Sequence, residues 1–575
     1  MRYTIGLATT FHDSALAIVG PDGDVLFAEA TERYLQLKRA PHCAADQSAR
    51  MTELVHDYLQ PGAEVVIATS WGPQFTEFLA RRGAVGQFGV DAIAKLSGEL
   101  NRSMVPKVCE DAFAASLHLA QQHAGLGVLL GLHRAFGGTN ATLRRYPHHL
   151  THAAYACFGS PFDEAVCLVV DGMGETGASA IYRYADGRVH ELVRHRGRES
   201  IGFYFGLITD LCGFDQSKGE EWKVMGLAPY GSRDPGLMEQ LHRLYRVEGG
   251  RIVFSDEQTV RDVVRRIDAC RPQGAEAKAW ADLARCGQDV FEDMMQVLLA
   301  EAEAKGGSKN LVLSGGCALN SSFNGKILDR ASFTALHVPS APADDGNALG
   351  AAWLGHAEDH PDWRPSKGPM TPYLGTPIDA DTLPRMAQWE PRLKHVGDGI
   401  VNETARLLAA GKLVGWVQGR AEFGPRALGN RSILADPRPA NAKDLINLKV
   451  KLREPFRPFA PSILEEHGPD WFESFQRSPY MDRTLRFRAD KRGLVPAVVH
   501  VDGTGRLQTV TNEMSPRYRA LIETFHALTG VPIVLNTSFN IMGKPIVHSV
   551  TDALMMFYTT GLDAVVIDDW LIVKS

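Results

Sequence analysis

The sequence predicts an α/β protein of two domains, the first of them built from a duplicated strand-hairpin unit. Three observations carry this expectation. The chain has 575 residues, 45% of them hydrophobic, which is more than one compact core accommodates. Two stretches, 4–30 and 164–195, share one plan of three short strands separated by polar turns. Between about 356 and 393 the texture changes to EDHPDWRPSKGPMTPYLGTPIDADTLP, rich in proline and polar residues, which marks a boundary. The expected division is a first domain over 1–357, a linker over 358–394 and a second domain over 395–575.

The first hairpin unit reads as an apolar strand, the turn FHDS with His12 and Asp13, the strand SALAIV, the turn Pro21-Asp22-Gly23-Asp24 and the strand VLFAEA. The second, EAVCLVVDGMGETGASAIYRYADGRVHELVRH, has Asp171 at its first turn and Ala185-Asp186-Gly187 at its second. Its string GMGETG, with Gly172, Gly174 and Gly177, matches the dinucleotide fingerprint formally. That fingerprint requires a helix directly after it, and the strand-like ASAIYRY follows instead. A glycine-rich hairpin turn that holds phosphate is the better reading.

Apolar spacing predicts a helix over about 280–304, followed in LVLSGGCALNSSFNGKIL by a buried strand, a ligand-facing glycine turn with Gly315 and Gly316, and the start of a helix. Another helix starts in PADDGNALGAAWLGHAE, with Asp344 and Asp345 at its entrance, where capping accounts for one aspartate but not obviously for two. In HHLTHAAYACFG, His148 and His152 stand four apart on one helical face while His149 points elsewhere. A structural pair is the alternative to a ligand pair. The turn carboxylates of Asp171 and Asp344 could complete an imidazole–carboxylate set suited to iron, zinc or manganese. A zincin needs Glu after the first histidine, and His149 occupies that place.

In the second domain, LVGWVQG and GVPIVLNTSFN read as strands. The segment GRAEFGPRALGNRS sets Arg420, Arg426 and Arg431 among glycines and a proline, the composition of a polyphosphate cradle. Arginines paired with neighbouring carboxylates in a surface turn are the alternative, and the Walker spacing is absent. More cations follow in INLKVKLREPFRPFAPS, with Lys449, Lys451, Arg453 and Arg457 beside Asn447 and among aromatic and proline residues, which favour a packed pocket over a solvated basic face. GRLQTVT adds Arg506 and Gln508, and LNTSFN adds Asn536, Ser538 and Asn540 at a strand end.

A formal charge of -6 and a pI near 6.4 argue against a long nucleic-acid groove while leaving nucleotide binding open. The eight cysteines are scattered without a Cys-x-x-Cys pair and read as reduced core residues. No run of membrane-spanning length occurs, and the N-terminal stretch goes directly into strand-like sequence without a signal-peptide pattern. A cytoplasmic protein, monomer or homodimer, with no nucleic-acid or membrane partner is expected.

The turns FHDS, VVDGMGE, LSGGCALN and ADDGNALGAA together resemble the duplicated ATPase fold shared by sugar kinases, actin and heat-shock chaperones, in the branch that includes the threonylcarbamoyl-transfer proteins. With the His-x-x-x-His element, GRAEFGPRALGNRS, INLKVKLREPFRPFAPS and LNTSFN, nearly the whole chain resembles the O-carbamoyltransferases of the NodU, CmcH and TobZ type. That family joins such a domain to a YrdC-like α/β domain.

The resemblance implies that the second domain binds ATP, with Mg2+, and carbamoyl phosphate, and forms carbamoyl adenylate. Arg426, Lys451, Arg506, Asn536 and Ser538 carry over to that role, beside Arg420, Arg431 and Arg457. In the first domain His148, His152, Asp171 and Asp344 are the implied ligands of a divalent metal, iron first. Gly172, Gly174, Gly315, Gly316 and Asn320 are expected to bind the adenylate, and Glu220, Glu221 and Lys223 the acceptor. His12 and Asp13 are the candidates for proton removal from an acceptor hydroxyl on a natural product. In SKGEEWKVMGLAPYG, Trp222 stands before Lys223 where the family has glycine, so the acceptor contacts of this loop depart from the pattern. Two other readings share parts of these motifs: a threonylcarbamoyl-type transferase acting on tRNA, and a non-catalytic nucleotide-binding scaffold.

Overall fold

The computed structural model describes residues 1–75, 116–197, 199–270, 276–368, 370–379 and 381–574. These form two compact units. The first comprises 1–31, 39–319 and 327–370, the second 32–38, 320–326 and 371–575.

Unit 1 contains two five-stranded sheets of one topology. Strands Arg2–Ala8 (β1), Ala15–Val19 (β2), Val25–Ala30 (β3), Glu64–Ser70 (β4) and Ala141–Tyr146 (β5) line up as β3-β2-β1-β4-β5. The hairpin partners are antiparallel, and β1–β4 and β4–β5 are parallel. Ala165–Val170 (β6), Ser179–Ala185 (β7) and Arg188–Arg194 (β8) are followed by a separate hairpin, Tyr245–Glu248 (β9) and Arg251–Phe254 (β10). Asn310–Ser314 (β11) and Ala335–His337 (β12) then complete the second sheet in the order β8-β7-β6-β11-β12, with the same pairing senses. The duplicated actin-like plan expected from the two hairpin units is therefore borne out, and a strand, not a helix, follows GMGETG.

Turn chemistry explains where the hairpins reverse. Asp13 and Asp186 occupy the left-handed region at φ 58 and 53, which aspartate tolerates better than most residues. Small residues then let helices approach closely. The helix Asn347–Asp359 packs on β1, β2, β4 and the helix His148–Phe158, and a Cβ at Gly350 would overlap the Thr151 carbonyl oxygen. The run NALGAAWLG is thus read out as contact distance. Under the first sheet Ile5, Leu7, Ile18, Phe27, Val55, Ile67 and Val128 form one buried cluster.

Unit 2 is built on a nine-stranded mixed sheet. Its strands are Lys394–His395 (β13), Val414–Val417 (β14), Arg431–Ala435 (β15), Ala460–Leu464 (β16), Arg483–Arg486 (β17), Thr504–Val510 (β18), Ile533–Ser538 (β19), Ala564–Ile567 (β20) and Trp570–Val573 (β21). They are ordered β13-β21-β20-β14-β15-β19-β16-β18-β17. The helices Ile400–Ala409, Pro516–Thr529 and Val550–Thr559 bury their apolar faces in its core with Trp416, Ile433, Phe525 and Val534.

The stretch 358–394, expected as a linker, is divided instead. Residues 358–370 cluster with unit 1, and unit 2 starts at 371. The reason is hydrogen bonding, because Pro372, Leu374, Gly375 and Thr376 all present carbonyls to the 420–431 loop. Two short segments from earlier in the chain also belong to unit 2. Arg33 donates to Gly424 O at 2.7 Å, and Asn324 donates to Asp482 O at 2.8 Å.

The expectation of core cysteines holds for Cys157, Cys167, Cys212, Cys286 and Cys317, which are buried, but Cys270 is exposed and Cys43 half-buried. Cys109 lies outside the described residues. No helix among the described residues is long and apolar enough to cross a membrane.

Candidate functional site

In unit 1 the four residues expected as metal ligands come together. One ligand atom from each of His148, His152, Asp171 and Asp344 lies within 4.8 Å of all the others. His148 Nε2 is 3.2 Å from Asp171 Oδ2 and 3.4 Å from Asp344 Oδ1, while His152 Nε2 is 3.8 and 3.3 Å from the same atoms. Both imidazoles are wholly buried. The two histidines share a helical face, Asp171 directly follows β6, and Asp344 opens the turn into the helix Asn347–Asp359.

Neighbouring groups fix these side chains. The His148 ring stacks on buried Trp71 with centroids 4.2 Å apart, and Gly316 N donates to Asp171 Oδ1 at 2.9 Å. Glu175 accepts from the amides of His148 at 2.7 Å and Gly72 at 3.0 Å, which gives the helix His148–Phe158 the acceptor that its Pro147 N-cap cannot provide. Thr151 Oγ1 donates to Asn347 Oδ1, and the Asn347 amide nitrogen lies 3.1 Å from His152 Nε2.

The charges are strongly biased. Burial works against a charged His148, yet the Asp344 charge and the Asp171 hydrogen bond push it up to about 10. Burial would raise Asp171 too, but the His148 hydrogen bond and the His152 charge hold it well below the usual carboxylate range. His149, buried beside charged His148, is pushed down to about 3. Among the described residues, buried Asp344 Oδ1 has no donor near it beyond the two imidazole nitrogens at 3.3 and 3.4 Å. Two imidazoles and two carboxylates that converge in this way fit a divalent cation.

His12 and Asp13 form a second cluster in the same unit. Asp13 Oδ2 lies 2.9 Å from His12 Nδ1 and accepts from Arg39 Nε and Nη2 at 3.1 and 3.0 Å. Burial would raise Asp13, but the charges of Arg39 and His12 hold it far below the usual range, so it is a poor base that orients His12 instead. Arg39 carries no sequence signal for this role. It also feels the charges of Glu221 and Asp344.

Burial pushes the Glu221 carboxyl up. Glu220 pairs with Lys223 at 2.6 Å, and the Lys223 ammonium lies 5.7 Å from the Trp222 ring centre and 5.3 Å from that of Phe214. Trp222 is therefore in part a wall for Lys223.

Of the residues expected to bind adenylate, Gly172 has no atom nearer than 4.0 Å to a Cβ position, and Gly316 packs on Asp171. Gly315 adopts φ +90 against the Val170 carbonyl, a conformation glycine alone takes without strain. Gly174 faces the His149 ring, which leaves it a packing role. Asn320 departs from expectation more plainly: it caps the helix Ser321–Asn324 by accepting from Phe323 N at 3.1 Å, and it belongs to unit 2.

In unit 2 the arginine cradle resolves into two kinds of residue. Arg431 is buried and donates to four backbone carbonyls, those of Gln418, Asn430, Thr376 and Gly419. Arg420 likewise holds Gly375 O at 3.0 Å and Leu374 O. Both are clamps that shape the loop between β14 and β15, not phosphate ligands. Glu422, which no spacing in GRAEFG marks, completes that frame by accepting from the amides of Leu428, Asn430 and Arg431 at 2.7, 2.8 and 3.1 Å. Arg426 projects from the loop half-buried.

Arg426 instead meets the later cations. Burial and Arg506 push Arg426 well below its ordinary value, and burial lowers Arg506 to about 10. Burial, Arg457 and Arg506 lower Arg453, and burial, Arg453 and Arg457 lower Lys451. Five cations thus crowd one region, where Arg506 Nε is buried with no hydrogen-bond partner.

Lys451 is held by Ser538 O, Ser538 Oγ at 3.2 Å and Asn540 Oδ1 at 2.8 Å. Asn536 is fully buried and donates to Ala427 O at 3.2 Å and Gln508 Oε1 at 3.0 Å, while Gln508 donates to Leu428 O at 2.7 Å. Asn536 therefore supports the Arg426 loop from behind, a correction to its expected place against the ligand.

The comparisons with known proteins agree with this division. The model of the carbamoyltransferase N-terminus matches residues 3–353, and that of the carbamoyltransferase C-terminus matches 405–574. The chain is 39% identical over 435 residues to nodulation protein NolNO of Sinorhizobium fredii, covering 74% of this chain and 63% of that one. Nodulation protein NolO of Bradyrhizobium diazoefficiens is 39% identical over 454 residues, covering 74% and 78% respectively. An uncharacterized Synechocystis protein, sll1178, is 30% identical over all of this chain and 97% of its own.

Proposed function

The chain belongs to the carbamoyltransferase family, and from that premise we propose that it is an ATP-dependent O-carbamoyltransferase acting on a hydroxyl of a small natural product. The observation that carries this reading is the group of five cations around Arg426, Lys451, Arg453, Arg457 and Arg506. Their mutual repulsion in a buried place is relieved by an oligo-anion, and ATP with its Mg2+ and carbamoyl phosphate supply one.

In unit 2, water cleaves carbamoyl phosphate to carbamate and phosphate. A carbamate oxygen then attacks the α-phosphorus of ATP, and pyrophosphate leaves. Arg426 and Arg506, the two cations least engaged by protein acceptors, bind the transferring phosphates, while Lys451 is positioned by Ser538 and Asn540. Arg420, Arg431, Glu422 and Asn536 hold the loop that aims Arg426.

In unit 1, His148, His152, Asp171 and Asp344 would hold a divalent metal, iron first with zinc or manganese as alternatives, which would supply Lewis-acid polarisation of the carbamoyl group. His12, oriented by Asp13, takes the proton of the acceptor hydroxyl as its oxygen attacks the carbamoyl carbon and AMP leaves. The open face of Gly172 faces the adenylate, while the Gly316 amide keeps Asp171 in place. Glu221 lines the acceptor cleft, with Glu220 and Lys223 behind it.

Product analysis tests the reading. Incubation with ATP, carbamoyl phosphate and a divalent metal is expected to yield AMP and pyrophosphate only when carbamoyl phosphate is present, and Lys451→Ala is expected to abolish both. ADP as the nucleotide product, or turnover independent of carbamoyl phosphate, would contradict it.

A further inference from the structure

One set of reactive groups in unit 1 lies outside the sites above. Ser179, the first residue of β7, places Oγ 2.7 Å from His195 Nδ1, and His195 Nε2 lies 2.7 Å from Glu301 Oε2. The backbone fixes the first pair, since His195 N donates to Ser179 O at 3.1 Å. Glu301 comes from the long helix Ala281–Gly306, and its other oxygen lies 3.4 Å from Lys305. With Nε2–H donated to Glu301, the Nδ1 lone pair faces the serine hydroxyl. This is the relation of carboxylate, imidazole and hydroxyl that activates a serine nucleophile, with the two ring nitrogens exchanged relative to the usual order.

The group also opens on a cleft. Ser179, His195, Arg196, Glu199, Ile201 and Arg251 line it. Ser179 itself is 6% exposed, and the side chains of His195 and Glu301 are 16% and 15% exposed. Arg196 and Arg251 are exposed at this cleft, and among the described residues neither forms an ion pair. A tie between strand and helix would need only the His195–Glu301 pair. The serine hydroxyl held on the remaining nitrogen, facing a cleft with two unpaired guanidiniums, goes beyond that need.

We propose that Ser179, His195 and Glu301 form a second catalytic centre, a serine-nucleophile esterase site for small esters that carry a negative charge. Ser179 Oγ attacks the ester carbonyl carbon as its proton passes to His195 Nδ1. The carbon–oxygen bond to the alcohol breaks, and the alcohol leaves with that proton. Water then attacks the acyl-serine, giving one proton to Nδ1 that returns to Ser179 Oγ, so ester and water yield acid and alcohol. Glu301 acts through His195 as a positioning residue.

The full-length protein treated with a fluorophosphonate is expected to carry the label on Ser179, as read by peptide mass. The label should vanish in Ser179→Ala and form about 100-fold more slowly in His195→Gln. Glu301→Gln should shift the pH profile of labelling at an unchanged melting temperature. Hydrolysis of 4-nitrophenyl hydrogen succinate should exceed that of 4-nitrophenyl acetate, and Arg196→Ala should remove the difference. A folded wild-type protein without label on Ser179, or an ester rate unchanged in Ser179→Ala, would overturn the centre. Equal rates for the two esters would overturn the charge preference.

Discussion

At the scale of single residues, two carboxylates, Glu175 and Glu422, hold the backbone around residues to which the proposed mechanism gives roles. Glu175 ties the first amide of the helix His148–Phe158 to Gly72, and its replacement by alanine leaves His148 without that anchor. Glu175→Ala is expected to weaken divalent-metal binding by about 10-fold or more while the fold persists, measured by competition with a chelator. Glu422 has the corresponding place in unit 2. Its loss strands three backbone amides in a loop where Glu422 is 1% exposed, so Glu422→Ala is expected to cost about 3 kcal/mol or more in a denaturant titration. Both residues stood inside the motifs that were read, GMGETG and GRAEFG, but their partners are backbone amides, which no sequence spacing displays.

Asp502 shows the same physics as a pH effect. Burial would raise it, but hydrogen bonds from His500 and Thr504 push it down to about 2, below its ordinary 3.8. The carboxylate therefore stabilises the fold fully above about pH 4, and that contribution is lost as pH falls toward 2. Asp502→Asn is expected to flatten the acid limb of a stability–pH curve in that window and to leave its slope above pH 5 unchanged.

At the scale of elements, the turns and helix faces were more legible than the loops. His148 and His152 declared themselves by helical spacing, and Asp171 by its place at a hairpin turn, because both signals are local. The arginine cradle was legible only in part. Arg426 reaches the other cations, whereas Arg420 and Arg431 turn inward to carbonyls at 374–376 and 418–419 that folding brings to them. An arginine among glycines looks alike in sequence whether it clamps a loop or a phosphate.

The two kinds separate by measurement. Arg431→Met removes four hydrogen bonds from a buried clamp and is expected to lower thermal stability sharply. Arg426→Met removes a charge repelled by Arg506 and is expected to leave stability unchanged or raised while abolishing stabilisation by added pyrophosphate. A thermal-shift series with and without pyrophosphate reads both outcomes.

At the scale of the whole molecule, the proline-rich texture after residue 356 spans the point at 370/371 where the two compact units divide. Composition shows where regular structure stops. It does not show that 371–376 will supply carbonyls to a loop fifty residues later, or that 32–38 and 320–326 will join unit 2. A fragment 371–575 lacks the bonds from Arg33 to Gly424 and from Asn324 to Asp482, and is expected to melt lower and more broadly than unit 2 in the full chain. The duplicated sheets of unit 1 were legible because the same hairpin plan is written twice.

The central claim is a division of labour, with adenylate chemistry in unit 2 and carbamoyl transfer in unit 1. It is tested most directly by the exchange of labelled pyrophosphate into ATP in the presence of carbamoyl phosphate, compared between wild type, Arg426→Met and His148→Ala. Exchange lost in Arg426→Met and retained in His148→Ala is the predicted result. Exchange retained in Arg426→Met and lost in His148→Ala, with both variants folded, would contradict it.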